Sequence, residues 1–281
     1  MAFESGHGGV DRLLSAGCRS SVRHHLRCLT GWRTEVGPDQ RSPAGGLEAS
    51  RPRCPAGVTA SLGGGYAGAE FDAGPTVKAV LAAANPGDPE SRLVILAGPP
   101  GSGKSTVAAR LLKHLPGAVC IDKDWSAGGF ILEAARQDGG DHATAYGRPH
   151  YWQRLRPLEY GGAVTSACAH LVGRRTVFLV GGWGPELADF DLWPGLTQAV
   201  SPARLDVIHL DAPPMRLWQD RMRARGSRAD SPWFDEFARR LTAVPVWPGA
   251  HRVSTADPVH DVWQHVMAAL CLAPEGTGSV R

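Results

Sequence analysis

The stretch Arg92 to Leu115, RLVILAGPPGSGKSTVAARLLKHL, constrains this chain more than any other. Leu93 to Ala97 is a short apolar run of the kind shown by a strand buried on both faces, and an amphipathic helical pattern follows a glycine-rich turn. Between them, Gly98-Pro99-Pro100-Gly101-Ser102-Gly103-Lys104-Ser105-Thr106 matches G-x-x-x-x-G-K-[ST] without a gap. Gly98, Gly101 and Gly103 permit backbone conformations that a Cβ resists, so that successive N–H groups can converge on a phosphate at the positive end of the helix. The spacing assigns the β- and γ-phosphates of a nucleotide to Lys104, Mg²⁺ to the Ser105 hydroxyl, and the neighbourhood of the α-phosphate to Thr106.

The remaining chemistry must be found around that turn. The 281 residues allow one or two domains, and 43% hydrophobic residues suffice for a sizeable core. A net charge of +3 is too mild for nucleic acid or an anionic membrane to be the main partner. No apolar run reaches the roughly 18 to 20 residues of a spanning helix. The six cysteines contain no C-x-x-C pair, which suits free thiols in a reducing compartment, and the reading is cytoplasmic.

Residues 1–90 are punctuated by Gly, Pro, Ser and Arg with no sustained period, and are read as a disordered or loosely structured extension. Within them Cys18, His24, His25 and Cys28 have no recognised zinc spacing, and a weak helix over Val22 to Leu29 is the simpler reading. Thr76 to Ala84 is a candidate helix leading into the core. Residues 91–273 form the expected domain, and 274–281 a flexible tail.

A second strand, Ala118 to Ile121, ends in Asp122-Lys123-Asp124. In open parallel sheets ligands lie beyond the carboxyl ends of the strands, so these carboxylates should face the phosphates. Asp124 is the candidate base toward an acceptor hydroxyl, and Asp122 an acceptor-side or helix-capping residue. Ser126 to Gln137 reads as a helix, Asp138 to Pro149 as a polar loop, and His150 to Gly173 as a longer helical segment. Arg156 and Glu159 share a face of that segment, either paired with each other or presented to the substrate. Thr176 to Val180 is the third strand, but Gly181-Gly182-Trp183-Gly184-Pro185 follows where many phosphate-loop enzymes carry an acid. Asp122 or Asp124 could serve in its place, or Glu186 or Asp189 could reach back. Leu205 to Leu210 is the fourth strand. The helix Met215 to Arg225 opens a run holding Arg221, Arg223, Arg225 and Arg228, which suits a lid over phosphate oxygens or a solvated helix end. Pro232 to Leu241 is a second lid helix, His251 to Thr255 a fifth strand, and Pro258 to Leu272 a closing helix.

On GPPGSGKST, IDKDW (121–125), RPLEY (156–160) and HLDAPPMRLWQDRMRARG (209–226), the chain resembles phosphate-loop kinases of the nucleoside and nucleotide kinase-like group. That group includes AAA-type predicted kinases and relatives of zeta toxin, gluconate kinase, polynucleotide kinase and chloramphenicol phosphotransferase. The resemblance implies an α/β fold of three layers with a mostly parallel five-stranded sheet. It also implies ATP and Mg²⁺ as cofactors and a hydroxyl of a small molecule as phosphoryl acceptor. Catalytic roles then fall to Lys104, Asp124, Arg225 and Arg228, and acceptor contacts to Asp122, Arg156 and Glu159. A nucleotide-dependent switch without an acceptor, and a polynucleotide 5′-hydroxyl kinase, are the alternatives. No Arg stands three residues after Asp124, which counts against the latter.

Overall fold

The computed structural model describes residues 72–140, 142–230 and 232–272, all within one compact unit, Ser50–Arg281. The proposed extension up to residue 71, its cysteine and histidine constellation, and the tail from 273 lie outside the described residues. Five strands run in the order β2-β3-β1-β4-β5: β1 (Arg92–Ala97), β2 (Val119–Asp122), β3 (Thr176–Val180), β4 (Arg204–Leu210) and β5 (His251–Val253). Every pairing is parallel, as strands joined by helical crossovers require.

The central place of β1 follows from its composition. A strand with neighbours on both edges and helices on both faces must be apolar throughout, and Leu93 to Ala97 are all buried. Alternation sends Leu93, Ile95 and Ala97 to one face, where they pack with Val80 of α1 (Gly74–Ala83), Val164 of α4 (Arg156–Ala169) and Leu196 of α5 (Leu192–Val200). Val94 and Leu96 go to the other, against Val107 and Leu111 of α2 (Lys104–His114) and Val266 of α8 (Val259–Ala269). Each of these Leu, Ile and Val burials stabilises the fold by about 1.5–3 kcal/mol. Residues 72–90, read as the end of the loose extension, thus differ from that reading: they carry α1 into the core, where Val77 and Leu81 pack beside Val80.

A third apolar cluster lies outside the sheet. It joins α3 (Lys123–Gln137), a 3₁₀ turn (His142–Gly147), a π-helical turn (Tyr151–Leu155), α6 (Met215–Ala224) and α7 (Trp233–Thr242) through residues such as Ile131, Tyr146, Trp152, Trp218 and Phe237.

Three local features depart from the sequence reading. Helix α3 begins at Lys123 rather than Ser126, because the Asp122 carboxylate caps it, accepting the Asp124 N–H at 3.0 Å. Residues 138–149 are not a plain polar loop, since the 3₁₀ turn drives Tyr146 into the third cluster. The long helical segment opens with the π turn, whose last bond runs from Arg156 N–H to the Tyr151 carbonyl. Pro157 has no N–H to continue an α ladder from residue 153, and the chain absorbs the gap by widening one turn. Helix α5 is an element the sequence reading did not name. Its Pro194-Gly195 pair has the look of a turn, but Leu192, Trp193, Leu196 and Val200 bury one face and carry the helix through.

Candidate active site

Strand ends set the geometry. In the sheet register Asp122 is level with Val180, which is level with Leu96. The β2 carboxylate therefore stands beside the start of the glycine loop, with β3 between them. The loop is closed by backbone bonds from Gly98 N–H to the Gly182 carbonyl, 3.1 Å, and from Gly181 N–H to the Leu96 carbonyl, 3.2 Å.

Gly98, Gly101 and Gly103 have φ of 140°, 83° and 98°, in the region that side chains resist. At Gly98 a Cβ would come within 2.4 Å of the Leu210 carbonyl oxygen. Gly103 caps α2 without any side-chain hydrogen bond, so the first N–H groups of that helix have no side chain to satisfy them. Ser102 Oγ is buried with no hydrogen-bond partner. An orphaned hydroxyl, an uncapped helix start and a lysine together fit a nucleotide's phosphates. Lys104 Nζ is folded back on the loop, donating to the Gly98 and Pro99 carbonyls at 2.8 Å each. Burial, then the Arg225 charge, pulls its ammonium down to about 7, against the opposing pull of Asp124 and Asp122. Ser105 and Thr106 are exposed on the first turn of α2. Among the described residues no group of three or more His, Cys, Asp or Glu is arranged to hold a metal alone. Mg²⁺ would be held through the Ser105 hydroxyl together with phosphate oxygens.

The two β2-end carboxylates differ. Asp122 is buried, and burial followed by repulsion from Asp124 raises it to about 6. Burial would raise Asp124 as well, but Lys123, with Lys104 and Arg225 behind it, holds that carboxyl below the usual range. Lys123 Nζ lies 2.6 Å from Asp124 Oδ1 and 3.0 Å from Glu159 Oε1.

Arg156 and Glu159 do not pair with each other. The Arg156 guanidinium makes a bidentate pair with Glu186, at 2.8 and 2.7 Å, and lies over the rings of Trp152 and Tyr160. It is 0% exposed, so it has no surface to offer an acceptor. Glu159 takes Lys123 on one oxygen and the Tyr151 hydroxyl on the other, at 2.8 Å. Glu186 therefore does not reach back to the phosphates from the end of β3. Asp189 does not either, since its carboxylate accepts the Leu192 N–H, at 3.1 Å, where α5 begins. Of the four acids offered for that place, Asp122 and Asp124 are those beside the loop.

Of the arginine run, Arg225 acts electrically on Lys104 and Asp124. Arg228 is held outside by Asp230, at 2.7 and 3.0 Å, and lies over Trp233. The sequence reading missed Trp218 and gave Arg221 no contact. Trp218 donates to the Pro100 carbonyl at 2.6 Å, and Arg221 reaches the carbonyls of Gly101 and Thr255 at 3.4 and 3.2 Å. A Trp one turn ahead of an arginine run was the available signal. A cavity of about 370 Å³ opens between α3 and α4, with Ser126, Phe130, Leu158 and Glu159 in its wall.

Residues 93–172, from β1 to just past α4, match a family model described as AAA domain. The phosphate-loop resemblance holds over that stretch. No curated protein matches the chain. Among solved structures, the chain is similar to a gluconokinase from Sinorhizobium meliloti at 16% identity and TM-score 0.41, over 63% of this chain and 90% of that one. A sugar kinase from a Janibacter species is 19% identical, TM-score 0.43, over 66% and 96%. A shikimate kinase from Acinetobacter baumannii, in complex with shikimate, is 16% identical, TM-score 0.33, over 63% and 90%. No helix among the described residues is long and apolar enough to cross a membrane.

Proposed function

We propose that this chain is an ATP- and Mg²⁺-dependent phosphotransferase acting on a hydroxyl group of a small molecule. The observation that supports the reading is a glycine loop with positive φ at Gly98, Gly101 and Gly103, an uncapped helix start, the unpartnered Ser102 hydroxyl and Lys104, level in the sheet with the end of β2, after which Asp124 stands. Bound ATP with Mg²⁺ would supply the transferable phosphoryl group. The glycine-loop N–H groups and Lys104 would hold its phosphates, and the Ser105 hydroxyl would help hold the metal. Asp124 accepts a hydrogen bond from the acceptor hydroxyl and orients its oxygen for attack, receiving the proton as the transfer proceeds. Arg225 offers positive charge where the equatorial oxygens gather it. Packing of α6 on the loop excludes water, which limits wasteful hydrolysis. Arg228 takes part only by leaving Asp230.

The test is ATP consumption with Mg²⁺, alone and against a panel of hydroxylated acceptors, for the wild type, Lys104→Ala and Asp124→Asn. Acceptor-stimulated turnover that both substitutions abolish supports the reading. A second reading, a nucleotide-dependent switch, draws on Glu186 being engaged by Arg156, which leaves the β3 end without a free acid. It expects ATP binding through Lys104, no stimulation by any acceptor, and indifference of binding and basal hydrolysis to Asp124→Asn.

A further inference from the structure

Lys123 is the residue between the two carboxylates, and the motif reading gave it no task. The structure puts it at the centre of a buried charge array. Its ammonium bonds Asp124 at 2.6 Å in front and Glu159 at 3.0 Å behind. Glu159 accepts the Tyr151 hydroxyl at 2.8 Å, Tyr151 accepts Arg156 Nη1 at 3.2 Å, and Arg156 is clamped to Glu186. The array thus runs from the loop after β3 to the end of β2 without a gap.

Charge balance gives the array a direction. It holds the cations Lys123 and Arg156 and the anions Asp124, Glu159 and Glu186, which leaves one negative charge in excess. Side-chain exposure is 4% at Lys123, 0% at Glu159, 1% at Arg156 and 0% at Glu186, against 21% at Asp124. Asp124 is therefore the member of the array that meets solvent, and it also faces the charges of Lys104 and Arg225. A buried lysine serving stability alone would be satisfied by Glu159 and the faces of Tyr146 and Tyr160, which lie 5.7 and 5.2 Å from its nitrogen. Its shorter bond instead goes forward, to Asp124.

We propose that Lys123 is the positioning residue of phosphoryl transfer: anchored from behind by Glu159, it fixes the orientation of the Asp124 carboxylate toward the acceptor hydroxyl. This role rests on the phosphotransferase reading. Lys123 touches neither substrate; it acts through Asp124, and its own proton stays on its nitrogen. The Tyr151, Arg156 and Glu186 links keep Glu159 from swinging toward solvent and taking Lys123 with it.

Lys123→Met alone strands the buried Glu159 charge and endangers folding. The working variant is Lys123→Met/Glu159→Gln, which removes cation and rear anion together, while the new amide oxygen can still accept the Tyr151 hydroxyl. The full chain is assayed with ATP, Mg²⁺ and whichever acceptor stimulates the wild type. The expected result is an unchanged KM for ATP with kcat lower by roughly 100-fold, the cost of a misplaced catalytic group. In an Asp124→Asn background, where only basal ATP hydrolysis is left to read, the same double change leaves that basal rate where it was, since the group it orients is gone. In parallel, the carboxyl ¹³C signal of Asp124, assigned through Asp124→Asn, titrates at higher pH in the double variant than in the wild type. A folded double variant with wild-type kcat overturns the role of Lys123. So does an undiminished further loss in the Asp124→Asn background, or an unmoved Asp124 signal. A wild type that phosphorylates no acceptor overturns the phosphotransferase reading itself.

Discussion

Trp218 donates its indole N–H to the carbonyl of Pro100 at 2.6 Å, so the helix that brings Arg225 to the site is tied to the loop that would hold the phosphates. Trp218→Phe keeps a ring in the third cluster but leaves that carbonyl without its donor. A hydrogen bond of about 1 kcal/mol is lost, and ATP affinity should fall by roughly fivefold with the fold intact. Titration calorimetry against circular dichroism separates the two effects.

Gly98→Ala should abolish nucleotide binding outright. Its Cβ would stand 2.4 Å from the Leu210 backbone oxygen and 2.9 Å from Ser102 Oγ, at a φ of 140° that alanine resists. Backbone cannot withdraw as a flexible side chain can. Equilibrium dialysis with ATP checks it; retained binding would mean that β4 yields.

Lys104 makes nucleotide binding depend on pH. Its ammonium, ordinarily at 10.5, is pulled down to about 7 by burial and by Arg225. Between those values the unfolded chain holds more protons than the folded one, so stability of the free protein rises with pH across that window. Phosphates favour the charged form, so ATP binding above pH 7 takes up a proton and weakens as pH rises. Calorimetry at pH 8 in buffers of different ionisation enthalpy should show the uptake, and Lys104→Met should lose it.

Asp122 carries the opposite sign. Burial, then Asp124, raises its carboxyl from 3.8 to about 6, so the folded chain holds more protons across that interval and this site's contribution to stability falls as pH rises through it. Asp122→Asn keeps an acceptor for the Asp124 N–H and removes the charge. It should stabilise the free protein at pH 7 by about 1–3 kcal/mol. Denaturant titrations at pH 4.5 and pH 7 test it, and an equal effect at both would refute the assignment.

Arg156 and Glu186 should behave as a unit. Glu186→Gln leaves a buried guanidinium without its anion and should cost about 3–5 kcal/mol. Arg156→Met/Glu186→Gln should recover much of that loss. A double-mutant cycle by urea denaturation measures the coupling.

What could be read from the sequence was what lies close along it. The glycine loop, the five strands and the β2-end carboxylates are contiguous patterns, and each appears where its pattern put it. The pairs that decide the roles of Arg156 and Glu159 span 30 and 36 residues, to Glu186 and Lys123, and no spacing rule connects them. Sharing a helix face made Arg156 and Glu159 look like partners, whereas each turned out to have a nearer opposite charge on another element. Helix α5 was hidden by Pro194-Gly195, and the π turn lies just ahead of Pro157, where His150 to Gly173 had read as one helical segment. Trp218 stood one turn ahead of the arginine run, but its partner, the Pro100 carbonyl, lies 118 residues away.

The third apolar cluster bears on how two substrates would meet. Trp218 and Phe237, on the arginine-bearing side, share it with Ile131, Tyr146 and Trp152, on the side of Lys123 and Asp124. Close-packed side chains transmit displacement rather than absorb it. Whatever draws α6 onto a nucleotide also presses on α3, which carries Lys123 and Asp124, and the reverse holds by thermodynamic reciprocity. The two ligands should therefore bind with synergy, each lowering the other's dissociation constant by the same factor.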